Sequence, residues 1–473
     1  MDNTMEIYLN RLPNNVTKID LSYKNLTKLP DLSRFTNIKY LYCNNNKLTA
    51  LPPFIENLPQ LEYFNCSCNE ITELPPFNEK LRSLNCSFNK ITTLPPFNKK
   101  MKSLNCSFNE LVTLPPFNEN MEFVQCCENQ LTELHPFNMN LVYLECSCNQ
   151  LKTLPPLNPH MVKLECSYNQ LKTLPPLNPM LKYIDCCNNF LTEIPPFHEN
   201  LKQFKCCNNM LTSLPGLYNL QSVWCSNNKL AKLPDFNDEL EYIECCHNEI
   251  TALPPFNTKL KTMGCSFNEI TALPPFHENL QYINCSFNKI TVLPPFNSNL
   301  KTLICSHNLL TELPPFNAEM QFVHCFRNEI TVLPPFNDKL QFMHCAGNKL
   351  TQLPRLNEQL QELYCNNNEL TELPLIHNNL QVLMYYNNSI EYLTNYDDMS
   401  SIKHKVHVLN KCKHLLYCLK FKRRFHNWLW KHVRQRQIQE KYHPSKLIEF
   451  LWDNRDNICE DDNNTLYNVL NTW

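Results

Sequence analysis

From Leu61 onward the chain restates one unit of twenty residues, and that repetition governs what it can become. One copy runs Leu81-Arg82-Ser83-Leu84-Asn85-Cys86-Ser87-Phe88-Asn89-Lys90-Ile91-Thr92-Thr93-Leu94-Pro95-Pro96-Phe97-Asn98, and the next begins at Met101. The period holds almost throughout, with one nineteen-residue unit between Cys206 and Cys225 and two longer early units starting at Val16 and Ile38, and nineteen units end near Ile390. A unit this short cannot bury its own apolar face. Units must stack and share a core, which makes the chain a solenoid.

Each position of the unit has a physical task. The first Leu, the second Leu, the Cys, the residue after Asn and the Leu ahead of Pro-Pro face inward, so each coil adds one layer to a continuous core. The segment around Leu84-Asn85-Cys86 alternates in and out, which predicts a short strand; stacked strands form one parallel sheet lining the concave side. The Pro-Pro pair fixes φ near about −65° and removes two amide donors, so the return limb is extended or polyproline-like and has no room for a helix. Asn recurs once per coil at the turn, from Asn46 and Asn69 to Asn388. A buried amide is costly unless satisfied, so these side chains are expected to bond backbone groups of their own and the neighbouring coil as a ladder.

Over residues 16–393 the run resembles the leucine-rich-repeat pattern L-x-x-L-x-L-x-x-N-x-L, with Cys in place of the third Leu. It is similar to the short Leu-Pro-x type of bacterial effector proteins. Through the tail segment Lys441-Tyr442-His443-Pro444-Ser445-Lys446-Leu447 it also resembles repeat proteins of large DNA viruses of amoebae. The resemblance implies a superhelix that serves interaction, and it names no target.

Composition narrows the chemistry. Three Gly in 473 residues leave no phosphate-cradling loop or dinucleotide fingerprint, and the thirty-five Pro recur at fixed positions rather than marking a disordered linker. No Ser/His/Asp set or paired acid motif stands out, so the chain reads as non-enzymatic and without a cofactor. Seventeen of the twenty-six Cys share one register, beginning at Cys43, Cys66 and Cys86 and ending at Cys365. Parallel strands would hold them about 4.8 Å apart and aligned, whereas a disulfide needs Cβ atoms about 3.8 Å apart and converging. Reduced thiols as core filler are expected, in a cytoplasmic setting, the host's if the chain is viral. Pairs such as Cys126 with Cys127 and Cys245 with Cys246 lack zinc-finger spacing, and adjacent strand residues point to opposite faces, so no metal is expected. The N-terminus has no basic stretch followed by an apolar run, and no apolar segment approaches the ~18 residues of a membrane span, so neither a signal peptide nor a transmembrane segment is expected.

Outward strand positions are free of the core and carry whatever specificity exists. The third position of the unit is repeatedly aromatic: Tyr40, Tyr63, Phe123, Tyr143, Tyr183, Tyr242, Tyr282, Phe322 and Phe342. Trp224 and Tyr364 add rings at the fifth position. Such a column suits a protein or peptide partner, because aromatic rings give large contact area at low rotamer cost. Glu145, Glu165 and Asp185 occupy the fifth position in successive coils, followed by Lys205, Trp224 and Glu244, and the three carboxylates would make an acidic strip for a basic partner. His324 and His344 share that position in adjacent coils, with no third metal ligand evident.

Solenoid ends need caps. Residues 1–15 are expected to form one, with Ile7, Leu9 and Leu12 as its apolar contacts, and residues 394–473 a basic helical cap or subdomain with an acidic end. Ile402, Val406, Leu409, Cys412, Leu416 and Leu419 recur at helical spacing, and Pro444 suits the first turn of a further helix ending near Trp452. Eleven Lys or Arg and no Asp or Glu lie between Lys403 and Gln439, leaving 32 basic against 45 acidic residues elsewhere, a formal −13. Lys420, Lys422, Arg423, Arg424, Lys431, Arg434 and Arg436, with Trp428 and Trp430 nearby, are candidates for nucleic acid or an anionic membrane surface. An alternative follows from the effector resemblance: Cys412, Cys418 or Cys459 as the nucleophile of a ubiquitin ligase, although about eighty residues are too few for that catalytic domain.

Overall fold

The computed structural model describes residues 3–53, 55, 58–391, 393, 398–433 and 444–453. A short helix, α1 (Asn3–Asn10), precedes nineteen three-residue strands, from β1 (Lys18–Asp20) to β19 (Val382–Met384), and two helices follow, α2 (Met399–Val433) and α3 (Pro444–Asp453). All nineteen strands join one parallel sheet, each paired in register with the strand of the preceding coil, as in Ser83 against Ser103 and Asn85 against Asn105. The strand lies one residue earlier than the sequence suggests: Ser83–Asn85, with Cys86 at the first step of the turn. From residue 58 to 391 no helix interrupts the return limbs, because the Pro-Pro step cannot support one.

The inward columns pack as a single core. In the coil quoted above Leu81, Leu84, Cys86, Ile91 and Leu94 are all buried. The inward residue beyond Asn89 is the second one, Ile91; the residue directly after it, Lys90, is exposed. The seventeen column thiols have no measurable exposure, and none of the described cysteines forms a disulfide. Burial pushes them up, Cys86, Cys285 and Cys345 to about 12, so they stay neutral thiols that pack as small apolar groups. Adjacent cysteines divide between two sides as expected: Cys126 and Cys245 enter the core, while Cys127 Sγ reaches Glu145 and Cys246 lies beside Glu244 on the concave side.

The Asn ladder forms as the chemistry demands. Nδ2 of Asn268 donates to the carbonyls of Cys245, Cys265 and Ser266 at 3.0, 3.1 and 3.2 Å, and its Oδ1 accepts the Ile250 amide at 3.0 Å. A second ladder, not anticipated from the sequence, runs along the other turn. Nδ2 of Asn98 donates to the Asn78 and Leu81 carbonyls at 2.8 and 2.9 Å, while Oδ1 accepts from the Lys100 amide at 2.7 Å. Where His198 and His377 replace this Asn, a ring nitrogen instead meets a neighbouring carbonyl of the preceding coil, that of Leu177 and of Leu356. Phe rings stack along the return limb between these turns, 6.2 Å apart for Phe256 and Phe276.

The end helices touch the core through fewer residues than their apolar spacing implies. Leu9 is buried and Leu12 packs on the core, but Ile7 is 46% exposed. Among the described side chains of α2, Ile402 and Val406 are buried, whereas Cys412 and Leu416 are exposed. Lys403 donates to the Asn378 carbonyl and Lys413 pairs with Glu372, tying α2 to the solenoid end. In α3, Leu447 is buried.

Candidate functional site: the concave ribbon

Third-position and fifth-position side chains stand on the concave sheet in two columns, half-buried for the most part, with Tyr63, Phe123 and Phe322 more open. Tyr40 and Tyr63 stack at 4.9 Å near the N-terminal end. At the centre, β7 (Tyr143–Glu145), β8 (Lys163–Glu165) and β9 (Tyr183–Asp185) place Tyr143, Lys163 and Tyr183 side by side. The Lys163 ammonium sits 4.9 Å from each tyrosine ring centre and pairs with Glu165 at 2.5 Å. Lys205 repeats the arrangement between Tyr183 and Trp224, at 5.6 and 5.0 Å, and Trp224 meets Tyr242 at 4.8 Å. These contacts make a row of alternating rings and cations.

Glu145, Glu165 and Asp185 do adjoin in register, and part of their acceptor capacity is met from within the ribbon. Glu145 accepts from Tyr143 Oη and Gln125 Nε2 at 2.8 Å each, and from Cys127 Sγ at 3.0 Å. Burial opposes its charge, yet these donors outweigh burial and hold the carboxyl below its usual range. Glu165 is ion-paired, and Asp185 accepts the Cys187 amide at 3.1 Å. Burial and then the bond to Glu145 push the Tyr143 hydroxyl up, so it remains a donor.

Toward the C-terminal end, β16 (Phe322–His324) and β17 (Phe342–His344) bring His324 and His344 to 6.0 Å between ring centres. Each imidazole stacks at 4.4 Å on a phenyl ring, His324 on Phe342 and His344 on Phe326, and Tyr364 adjoins His344 at 5.0 Å. Burial, then the neighbouring His324, pushes His344 down to about 4, so the pair is neutral and behaves as part of an aromatic cluster. Among the described residues no three His, Cys, Asp or Glu converge on a metal position.

A third column went unrecognised in the sequence. The residue before each ladder Asn has positive φ, and in several coils it is aromatic: Phe88 and Phe108, then His247, Phe267, Phe287 and His307, at φ of 52 to 57°. A side chain with a Cβ pays about 1–2 kcal/mol in this region. The rings offset that by stacking at 4.1, 4.0 and 3.9 Å from His247 through His307, each close pair contributing about 0.5–1.5 kcal/mol. The signal was present as Phe or His ahead of Asn in consecutive units.

One break interrupts the ribbon. Strand β13 (Thr262–Gly264) carries Gly at the fifth position, between β12 (Tyr242–Glu244) and β14 (Tyr282–Asn284). The missing side chain leaves a cavity of about 350 Å³ lined by Tyr242, Tyr282, Thr262, Glu244 and Cys246 among others.

The basic helix is only partly described. Lys420 and Arg424 are exposed on α2 and Lys422 is half-buried. The side chains of Arg423, Trp428, Trp430 and Lys431, and of Cys418, are outside what the structure describes, as are Arg434, Arg436 and Cys459 altogether. No helix among the described residues is long and apolar enough to cross a membrane.

A family model described as leucine-rich repeats in two copies matches residues 11–56 and again 36–79. No curated protein matches the chain. Among solved structures, YopM from Yersinia enterocolitica WA-314 is 27% identical, covering 80% of this chain and 88% of its own, with a TM-score of 0.73. YopM from Yersinia pestis, described as a leucine-rich effector protein, is also 27% identical, covering 69% and 89%, with a TM-score of 0.58. The Toll receptor of Drosophila in complex with Spätzle is 18% identical over 75% and 57%, with a TM-score of 0.59, a likeness of fold alone.

Proposed function

We propose, from the premise that the chain is a leucine-rich-repeat protein similar to a bacterial leucine-rich effector, that it is a non-enzymatic scaffold gripping a protein or peptide partner on its concave ribbon. One observation carries this reading: the third and fifth strand positions, which the core does not use, hold a file of half-buried rings alternating with lysines from Tyr143 to Tyr242. Rigid aromatic surface loses little entropy on binding, and rings clustered at a patch centre are the usual source of affinity.

The test is affinity capture from native cells with the wild-type chain, a variant carrying Tyr143→Ala, Tyr183→Ala, Tyr242→Ala and Tyr282→Ala, and a control changed at the exposed Lys152 and Lys172. Loss of one specific partner from the first variant alone supports the reading; equal recovery by all three removes it. The twenty-residue period and the Leu-Pro-Pro step support kinship with the short effector repeats, and the 441–447 segment supports the viral resemblance. Free column thiols support a reducing, cytoplasmic setting.

A second reading rests on Phe421, which is 63% exposed between the cations of α2. Such a pairing suits an anionic surface or nucleic acid. Lys420→Glu with Arg424→Glu in the full chain should then abolish salt-sensitive binding to single-stranded nucleic acid or anionic vesicles, and no binding by the wild type at low salt ends this reading.

A further inference from the structure

The break in the ribbon at Gly264 has an occupied counterpart five coils earlier. There, Tyr143 and Tyr183 flank Lys163, whose ammonium lies 4.9 Å from both ring centres and is paired with Glu165 at 2.5 Å. Around β13 the same frame recurs: Tyr242 and Tyr282 hold the third positions of the flanking strands, in register through Thr262. The middle coil has changed in two places. Thr262 stands where Lys163 stood, and Gly264 where Glu165 stood, so the pair of rings remains while the cation and the carboxylate between them are gone.

The carboxylate that remains comes from one coil back. Glu244 lines the cavity, accepts the Tyr242 hydroxyl at 2.7 Å, and forms no ion pair among the described residues. A carboxylate has lone pairs for several donors, so this bond does not exhaust it. Gly264 keeps the space open: a Cβ there would come within 3.2 Å of Glu244 Cγ and 3.5 Å of Cys246 Sγ. Two lining tyrosines, a carboxylate and a floor without a side chain suit an alkylammonium group, since aromatic rings attract both the charge and the apolar stem.

We infer that this cavity is a socket for a lysine side chain of the partner, which completes the ring–cation–ring row that Lys163 completes internally. The inference rests on the concave-scaffold reading and adds the chemistry of the partner's anchor. It also accounts for why the row is self-filled at Lys163 and Lys205 but open at Thr262: only the open position can select a partner.

The experiment uses the full chain and two peptides, acetyl-Ala-Ala-Lys-Ala-Ala-amide and the same peptide with norleucine in place of lysine, observed by saturation-transfer NMR. The lysine peptide should bind about tenfold more tightly than the norleucine peptide, with the strongest transfer at its ε-methylene protons. Thr262→Lys, which supplies the internal cation, should weaken lysine-peptide binding about tenfold, while Thr262→Ser leaves it unchanged. Glu244→Gln should weaken it several-fold and flatten its salt dependence, and this second variant decides the matter if Thr262→Lys fails to fold. Equal affinity for the two peptides, or a wild-type affinity retained by both Thr262→Lys and Glu244→Gln, overturns the inference. Because the peptide assay does not use the captured partner, a failed socket leaves the four-tyrosine capture result standing, and a failed capture leaves the peptide result standing.

Discussion

Replacing Asn268 tests the idea that the ladder amides, more than the thiols beside them, hold successive coils together. Asn268 is 7% exposed and makes four bonds to backbone groups. Asn268→Ala does not strand all four. The Cys245 carbonyl keeps Asn248 as a donor, Cys265 keeps Asn288, and Ser266 keeps the His247 amide. Only the amide of fully buried Ile250 loses its sole acceptor. An orphaned buried donor costs about 1–3 kcal/mol, and with the lost donations and a small void the total comes to about 2–4 kcal/mol.

Asn268→Asp separates this account from mere loss of volume. The carboxylate can still accept from Ile250, but its second oxygen then faces three carbonyls where an NH₂ group stood. Charge repulsion and burial raise its folded-state pKa, so the stability it contributes is present below the unfolded value of about 3.9 and lost as pH rises. Asn268→Asp should therefore be less stable than Asn268→Ala at pH 7, and the difference should shrink or reverse near pH 4. A long solenoid need not unfold in one step, so the assay is hydrogen exchange at the Ile250 amide alongside urea melts. A cost for Asn268→Ala below about 0.5 kcal/mol, or Asn268→Asp at least as stable as Asn268→Ala at neutral pH, would refute the reasoning.

The thiol column should be inert while the chain is folded: a disulfide-exchange reagent at pH 8 should label exposed Cys412 within minutes and reach buried thiols such as Cys265 and Cys305 only on adding denaturant, as mass spectrometry would show. His344, held down to about 4 in the fold, titrates at 6.5 when unexposed to its neighbours. The unfolded chain then takes a proton that the fold refuses, so stability is full above 6.5 and declines as pH falls toward 4; His344→Phe should flatten that slope in thermal melts between pH 7.5 and 4.5. At Phe267, with φ of 54° and a ring on either side, Phe267→Ala loses both stacks yet keeps the backbone strain, while Phe267→Gly loses the stacks and relieves it. The unfolding free energy from urea melts should fall further for the alanine variant, by about 1 kcal/mol.

Much of the ribbon was legible because a period of twenty residues fixes which positions share a column before any coordinates are known. The buried Cys and Asn columns, the parallel strands and the outward tyrosines follow from that period together with the cost of burying apolar and amide groups in any other place. The partial neutralisation of the acidic strip was not legible for a related reason: Lys163 sits in the same third-position column as the tyrosines, but only the reach of its side chain brings its charge against Glu165. Helical spacing likewise grouped Cys412 and Leu416 with Ile402 and Val406 on one face of α2, without indicating that the first two are exposed while the last two are buried.

The chain by itself determined that coils must stack, which side chains enter the core and which are left to meet a partner, because those are consequences of periodicity and burial. Tertiary structure alone decided what the outward residues do to one another: that Lys163 is held between two rings, that His247 through His307 form a stack on left-handed backbone, and that Gly264 opens a cavity rather than merely a gap in the column. Those outcomes depend on backbone dihedrals and side-chain reach across neighbouring coils, distances of a few ångströms that spacing along a chain does not encode.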